Sequence, residues 1–173
     1  MTNSDDNLRH WSALSHTDPR HTKPFQRAGG FRGNAIKPIW NIMRLTEHFG
    51  PIGIGWGTYE PNYRIVEAGQ ETMVFCILKC WYVEHGPDRD MSGKFIETTA
   101  EIWGIGGDRL LMKRQDGIMG DDEAFKKSYT DALTNAFVRL GMSADIHLGL
   151  FEDSKYLAEV REHFSPTIKL PVE

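Results

Sequence analysis

The run from Thr72 to Glu84 constrains this chain more than any other stretch. Its residues alternate, with Val74, Cys76, Leu78, Cys80 and Tyr82 on one side and Met73, Phe75, Ile77, Lys79 and Trp81 on the other. A two-residue period in β-branched and aromatic residues specifies a long strand. Before it, Ile54–Tyr59 and Tyr63–Glu67 have the same character, interrupted by Glu60-Pro61-Asn62; after it, Lys94–Gly104 reads as a third strand. Only the turn Gly69-Gln70 and a polar loop, His85–Gly93, separate them. Parallel pairing needs a crossover of a dozen or more residues, so the sheet is antiparallel.

Helical spacing brackets this sheet. From Ala35 to Phe49, Ile36, Ile39, Trp40, Met43 and Phe49 recur on one face, with Pro38 suited to a first turn and Gly50-Pro51 as a stop. A stronger helix covers Asp121–Gly141. Asp121, Asp122 and Glu123 sit at its N-terminus, where the helix dipole favours acids; Phe125, Tyr129, Ala132, Leu133, Ala136, Phe137 and Leu140 form its apolar stripe. A short helix is expected over Ser154–His163. Residues 28–34 read as a glycine-rich turn, and residues 106–120 as a glycine-punctuated connection carrying Arg109, Lys113 and Arg114. The expected class is α+β: a helix, a three-stranded antiparallel β-meander, then a long helix packed on one sheet face, giving a β-β-β-α core. Residues 1–24 read as an N-terminal arm, 25–160 as the core domain and 161–173 as a C-terminal tail.

Composition is that of an ordinary globular chain, with 40% apolar and 25% charged residues, and the net charge of −4 does not by itself point to nucleic acid. The distribution does. Residues 9–44 hold seven Lys or Arg against the single acid Asp18, a local +6 on an otherwise acidic chain. Such polarity suits a polyanion on one face. The longest apolar run, Met73–Val83, contains Lys79 and is too short to cross a bilayer, so no membrane partner is expected. The polar, acidic start has no signal-peptide pattern, and two cysteines cannot form a disulfide framework. The expectation is a reduced cytoplasm, of a bacterium or a phage-infected cell.

Catalytic motifs do not emerge. The sequence lacks a phosphate-cradling G-x-x-x-x-G-K-[ST] loop, a G-x-S-x-G elbow and an H-E-x-x-H pair, and Gly104, Gly106 and Gly107 do not complete G-x-G-x-x-G. Asp88–Gly93 resembles the start of a calcium loop, but its twelfth position is Thr99, where a bidentate Glu is needed. His10, His16 and His21 have no ligand spacing. Cys76 and Cys80 lie on one strand face roughly 13 Å apart, too far for one metal. Trp40, Trp56, Trp81 and Trp103 are possible base-stacking platforms, though core packing is the expectation for each. Trp11 has no clear place.

The helix beginning at Asp121 carries a more specific pattern. Asp122-Glu-Ala-Phe-Lys-Lys-Ser-Tyr-Thr-Asp-Ala-Leu-Thr-Asn-Ala-Phe-Val-Arg-Leu-Gly141 resembles a motif of the single-strand DNA annealing proteins, the Rad-fifty-two-like superfamily, in its Sak-type phage recombinase branch. A lysine-bearing helix there runs into Thr-Asp and an apolar stripe, followed by segments similar to Leu150-Phe151-Glu152-Asp153 and Tyr156-Leu157. Arg27-Ala28-Gly29-Gly30 resembles the family's arginine-and-glycine turn, and Asn41–Gly50 leading to Trp56 its first helix and strand. The likeness runs from Arg27 to Leu157. It implies an oligomeric ring or filament that holds single-stranded DNA by its backbone and anneals complementary strands in homologous recombination and DNA repair. No cofactor, metal or ATP is implied. A single-strand-binding protein or an exonuclease would be a further partner.

On this resemblance Arg27 and Lys126 are the leading DNA-binding residues, with Lys127 beside them. The basic segment adds Arg32, Lys37 and Arg44. Eukaryotic members place bases just beyond the Thr-Asp-x-Leu step; here Thr134 and Asn135 stand there, able to donate hydrogen bonds to phosphate. Arg109, Lys113 and Arg114 offer a second course for the groove. Two other readings compete: a metal-dependent nuclease or hydrolase using Asp121, Asp122, Asp145 and His147, and a non-catalytic oligomeric interaction protein.

Overall fold

The computed structural model describes residues 7–26, 29–30, 32–89, 91–93 and 95–165. Its elements in chain order are α1 (Arg9–Leu14), β1 (Thr22–Gln26), β2 (Arg32–Ile36), α2 (Pro38–Phe49), β3 (Trp56–Thr58), β4 (Asn62–Ala68), β5 (Glu71–Arg89), β6 (Phe95–Arg114), β7 (Gly117–Gly120), α3 (Ala124–Phe137), α4 (Ala144–His147) and α5 (Ser154–His163). Single 3-10 turns occupy Pro19–His21, Val138–Leu140 and Leu150–Glu152. The class is α+β, with antiparallel sheets and helices packed on them. The chain divides into two compact units, Asn41–Leu140 and the pair of segments Met1–Trp40 and Gly141–Glu173.

The unit Asn41–Leu140 is a five-stranded antiparallel sheet with α3 across one face. β3, β5, β6 and β7 are neighbours in that order, and β4 also pairs with β5. β3 and β4 share one edge of β5 end to end: Trp56 opposes Tyr82, and Tyr63 opposes Cys76. The sequence predicts three strands here; the sheet has five, with one edge broken into β3 and β4 and β7 added beyond β6. The alternation of β5 holds as the sequence predicts: Val74, Cys76, Leu78, Cys80 and Tyr82 are all buried under α3 and its neighbours. Phe137 closes this core, its ring 5.7 Å from that of Trp56 and 6.4 Å from that of Phe49.

β6 differs from expectation. The strand does not stop at Gly104 but runs to Arg114, turns at Gln115-Asp116 and returns as β7. Its glycines are part of the sheet rather than a break in it. Gly104 opposes Leu78 and Gly106 opposes Cys76, both on the inner face. A Cβ on Gly104 would lie 2.7 Å from the Ala136 nitrogen, and one on Gly106 would lie 2.7 Å from the Asp131 carbonyl carbon. The helix backbone thus rests directly on the strand, as only glycine permits. The matching helix face is small: Ala124, Ser128, Ala132 and Ala136 recur every fourth residue and are buried. The stripe is accordingly rotated from its sequence-derived position at its N-terminal end. Phe125 is 37% exposed and meets Tyr63 edge to face at 5.1 Å.

The second unit also departs from the arm expected over residues 1–24. Among the described residues, α1 buries Leu14 completely, and the backbone N–H groups of Ser143 and Asp145 donate to the carbonyls of Leu14 and Ser15. Asp145 is 2% exposed; its carboxylate accepts from the Thr17 N–H (2.7 Å), the Thr17 hydroxyl (2.7 Å), the Ile146 N–H (2.8 Å) and the Tyr156 hydroxyl (2.8 Å). Four donors satisfy this buried carboxylate. Burial and this carboxylate together push the Tyr156 phenol up. Of the glycine-rich turn expected over residues 28–34, residues 28 and 31 lie outside the described residues, and from Arg32 the chain is strand: β2 pairs antiparallel with β1, Gln26 with Arg32 through Thr22 with Ile36. Pro38 then starts α2, so Ala35 and Ile36 are strand rather than helix. α5 has the bounds that the sequence predicts.

Candidate nucleic-acid interface

The basic segment is distributed over both units. Arg27 lies outside the described residues. Arg32, at the start of β2, is exposed and lines an open groove of about 510 Å³ with Pro24, Phe25, Gln26, Gly33, Asn34 and Glu152. Lys37 is half-buried, and its ammonium donates to the Arg20 carbonyl at 2.8 Å. Arg20 itself grips Asp18, through Nε at 2.8 Å and Nη2 at 2.6 Å. Burial raises the Asp18 carboxyl, and the Arg20 bonds outweigh it, leaving the group below the usual carboxylate range. Arg44 belongs to the other unit, half-buried on α2 and paired with Glu47 at 2.7 Å.

The lysines of α3 stand in its first turn and are exposed. Lys126 pairs with Glu123 at 2.6 Å, and Lys127 with Asp121. Each hydrogen bond holds its carboxyl below the usual range, and the Asp121 bond holds Lys127 above the usual lysine range. Exposed pairs of this kind are screened by solvent and contribute little to stability, so a phosphate can replace either carboxylate at little cost.

Two turns further on, Thr134 and Asn135 face different surroundings. Thr134 is half-buried; its hydroxyl donates to the Thr130 carbonyl (3.0 Å) and accepts from the Asn41 amide (3.3 Å). Asn135 is exposed, and its amide donates to the Ile105 carbonyl at 2.9 Å. One helical turn earlier, Asp131 accepts from the Gly107 N–H at 3.1 Å. Asp131 and Asn135 thus cap two backbone groups on the edge of β6 that faces away from β5. Asn41 and Asp131 stand within the stretches that carry the resemblance but are not among the site residues read from the sequence, because their contacts arise only through this register.

The remaining candidates lie on the β6–β7 hairpin. Lys113 is exposed and lines an open cleft of about 530 Å³ with Gln70, Gln115 and Asp116. Arg114 is the last residue of β6. Arg109 pairs with Glu71 at 3.3 Å on the sheet face away from α3. That outer face holds a further cluster. Lys79 opposes Trp103 across the strands; its ammonium is 4.9 Å from the Tyr59 ring centre and 5.6 Å from that of Trp103. Glu101 binds Lys79 at 2.5 Å and the Tyr59 hydroxyl at 2.8 Å, and these bonds lower its carboxyl. Trp40 and Trp56 are buried as expected, but Trp103 is 51% exposed. The alternation of β5 had placed Lys79 on this outer face, but pairing across strands is not readable from one strand.

The residues of the competing metal reading are also placed. Asp121 is engaged by Lys127, Asp145 by its four donors, and Asp122 and His147 are exposed. Among the described residues, no three His, Cys, Asp or Glu side chains are gathered to hold a metal ion. No helix of the described residues is long and apolar enough to cross a membrane. No family model matches the chain, and no curated protein matches it.

Proposed function

We propose that this protein binds single-stranded DNA along its phosphate backbone, as a homo-oligomeric ring or filament, and promotes ATP-independent annealing of complementary strands in recombination and repair. The observation that carries this reading is the element order around α3. The segment that carries the sequence resemblance forms a long helix that follows an antiparallel sheet and packs on it, in agreement with the helix, sheet, helix order that the resemblance implies, although the sheet has five strands rather than three. Exposed Lys126, Lys127, Arg32 and Lys113, each beside a carboxylate or an open groove, supply replaceable partners for phosphate. Gripping the backbone leaves base edges free to test a second strand, and no bond is broken, so no catalytic group is required. One protomer offers few cations, and repetition around an assembly multiplies weak contacts. Among the described residues, β6 from Phe95 to Trp103, before the groups capped by Asp131 and Asn135, pairs with no strand on the side away from β5, and such edges support sheet extension between copies.

The test is binding of labelled single strands over a salt series. The logarithm of affinity falls against the logarithm of salt with slope about −0.7 per phosphate contacted. A measurable negative slope with weaker binding to the matching duplex supports the reading; absence of single-strand binding at low salt refutes it.

A further inference from the structure

We propose that the outer face of the sheet is a stacking platform for unpaired nucleobases, centred on Trp103, Tyr59 and Lys79; this rests on the single-strand reading above. Trp103 is 51% and Tyr59 43% exposed, an unusual position for rings held in place by ordered partners. Glu101 fixes both Tyr59 and Lys79, and Lys79 lies against both rings, so the cluster is ordered before any ligand arrives.

The platform continues along β5. Phe75 and Trp81 lie on the same face, about 20 Å apart for a six-residue separation. Each ring lies over a glycine of the neighbouring strand. A Cβ on Gly107 would sit 2.8 Å from the Phe75 ring, and one on Gly57 would sit 2.8 Å from the Trp81 ring. Gly104 and Gly106 serve the helix on the inner face, whereas Gly57 and Gly107 make room for aromatic rings on the outer one. Ile105, 58% exposed, and the half-buried Ile77 fill the space between.

The exposed rings, with the Lys79 cation against them, favour a nucleobase as the occupant over a second copy of this face. Arg64, Lys79 and Arg109 project here against Glu71, Glu97 and Glu101, and Arg64 has no ion-pair partner among the described residues. Among the described strand residues this face thus carries three cations against three carboxylates, in a chain whose total is −4. Stacking also suits annealing chemistry. It uses the π-face of a base, is tolerant of sequence, and leaves the pairing edge open.

The experiment compares a labelled oligothymidylate with an abasic strand of the same length, using the full chain and its Trp103→Ala, Trp103→Phe and Tyr59→Ala variants. Trp103→Ala is expected to weaken oligothymidylate binding roughly 5- to 100-fold, with abasic binding and salt slope unchanged and Trp103→Phe retaining most of the affinity. Tyr59→Ala gives the same base-selective loss, and serves should Trp103→Ala fail to fold. Equal weakening on both strands, or no weakening, overturns the platform while the backbone-binding reading stands. A fall in oligomer mass in either variant by light scattering makes the face a contact between copies and overturns the platform. Wild-type protein that binds neither strand overturns both.

Discussion

Gly104 lies directly beneath Ala132: a side chain on the strand residue would overlap the carbonyl oxygen of the helix residue. Helix α3 can approach β6 this closely because residues 104 and 106 have no Cβ and residues 124, 128, 132 and 136 are Ala or Ser. Gly104→Ala must push the helix away or distort the strand. The expected cost is about 1–3 kcal/mol, from overpacking. Gly120→Ala is the control, since its Cβ would meet the end of Leu111 at 3.4 Å and the Leu110 carbonyl oxygen at an ordinary 3.9 Å; its change should stay within about 0.5 kcal/mol. Urea unfolding of both variants checks this, and equal midpoints would show that the helix does not rest on β6.

Lys126→Ala with Lys127→Ala should separate binding from folding. Both side chains are exposed and their ion pairs are screened by solvent, so the melting temperature should change little. The salt slope for single-strand binding should become shallower by about 0.7 for each phosphate that the variant no longer holds. An unchanged slope in a folded double variant removes the first turn of α3 from the interface.

The bond between Arg20 and the buried Asp18 makes a pH prediction. The folded carboxyl titrates below its usual value of 3.8. Its contribution is therefore complete above the unfolded value and disappears as pH falls through the folded one. Wild-type protein should lose stability below about pH 4, and Asp18→Asn should show a flatter acid limb. Denaturant midpoints taken between about pH 6 and pH 3 measure the difference. Parallel curves for the two proteins would exclude Asp18 as a contributor.

Cys76 and Cys80 should be silent toward thiol reagents in the native protein. Both are fully buried, and burial raises both thiols, Cys80 to about 12. At about pH 8 neither is a thiolate or accessible. An aromatic disulfide reagent should label none in buffer and both in urea. Rapid native labelling of either would contradict their place beneath α3.

These elements differ in how far the sequence discloses them. β5 and α5 follow from local patterns, an alternation of ten consecutive residues from Met73 to Tyr82 and a helical period. The full length of β6 does not, because Gly104, Gly106 and Gly107 look like a connection until the register places them against a helix and a ring. The β1–β2 hairpin is hidden by Pro24 and by the glycines at 29, 30 and 33. Lys79 on the outer face is legible from alternation, whereas its partners Tyr59, Glu101 and Trp103 come from other strands and meet it only through cross-strand pairing. The lysines of α3 could be named in advance, but the acids that hold them required the turn geometry before Ala124.

Annealing itself is the most direct test of the function proposed for this fold. Complementary oligonucleotides carrying a donor and an acceptor dye are mixed with the protein in chelator, without nucleotide, and energy transfer is followed with time. The account predicts pairing faster than the protein-free rate, with both strands intact on a denaturing gel, and slower pairing in the Lys126→Ala, Lys127→Ala variant. Pairing no faster than in buffer, from protein that binds the single strands, would contradict the annealing claim.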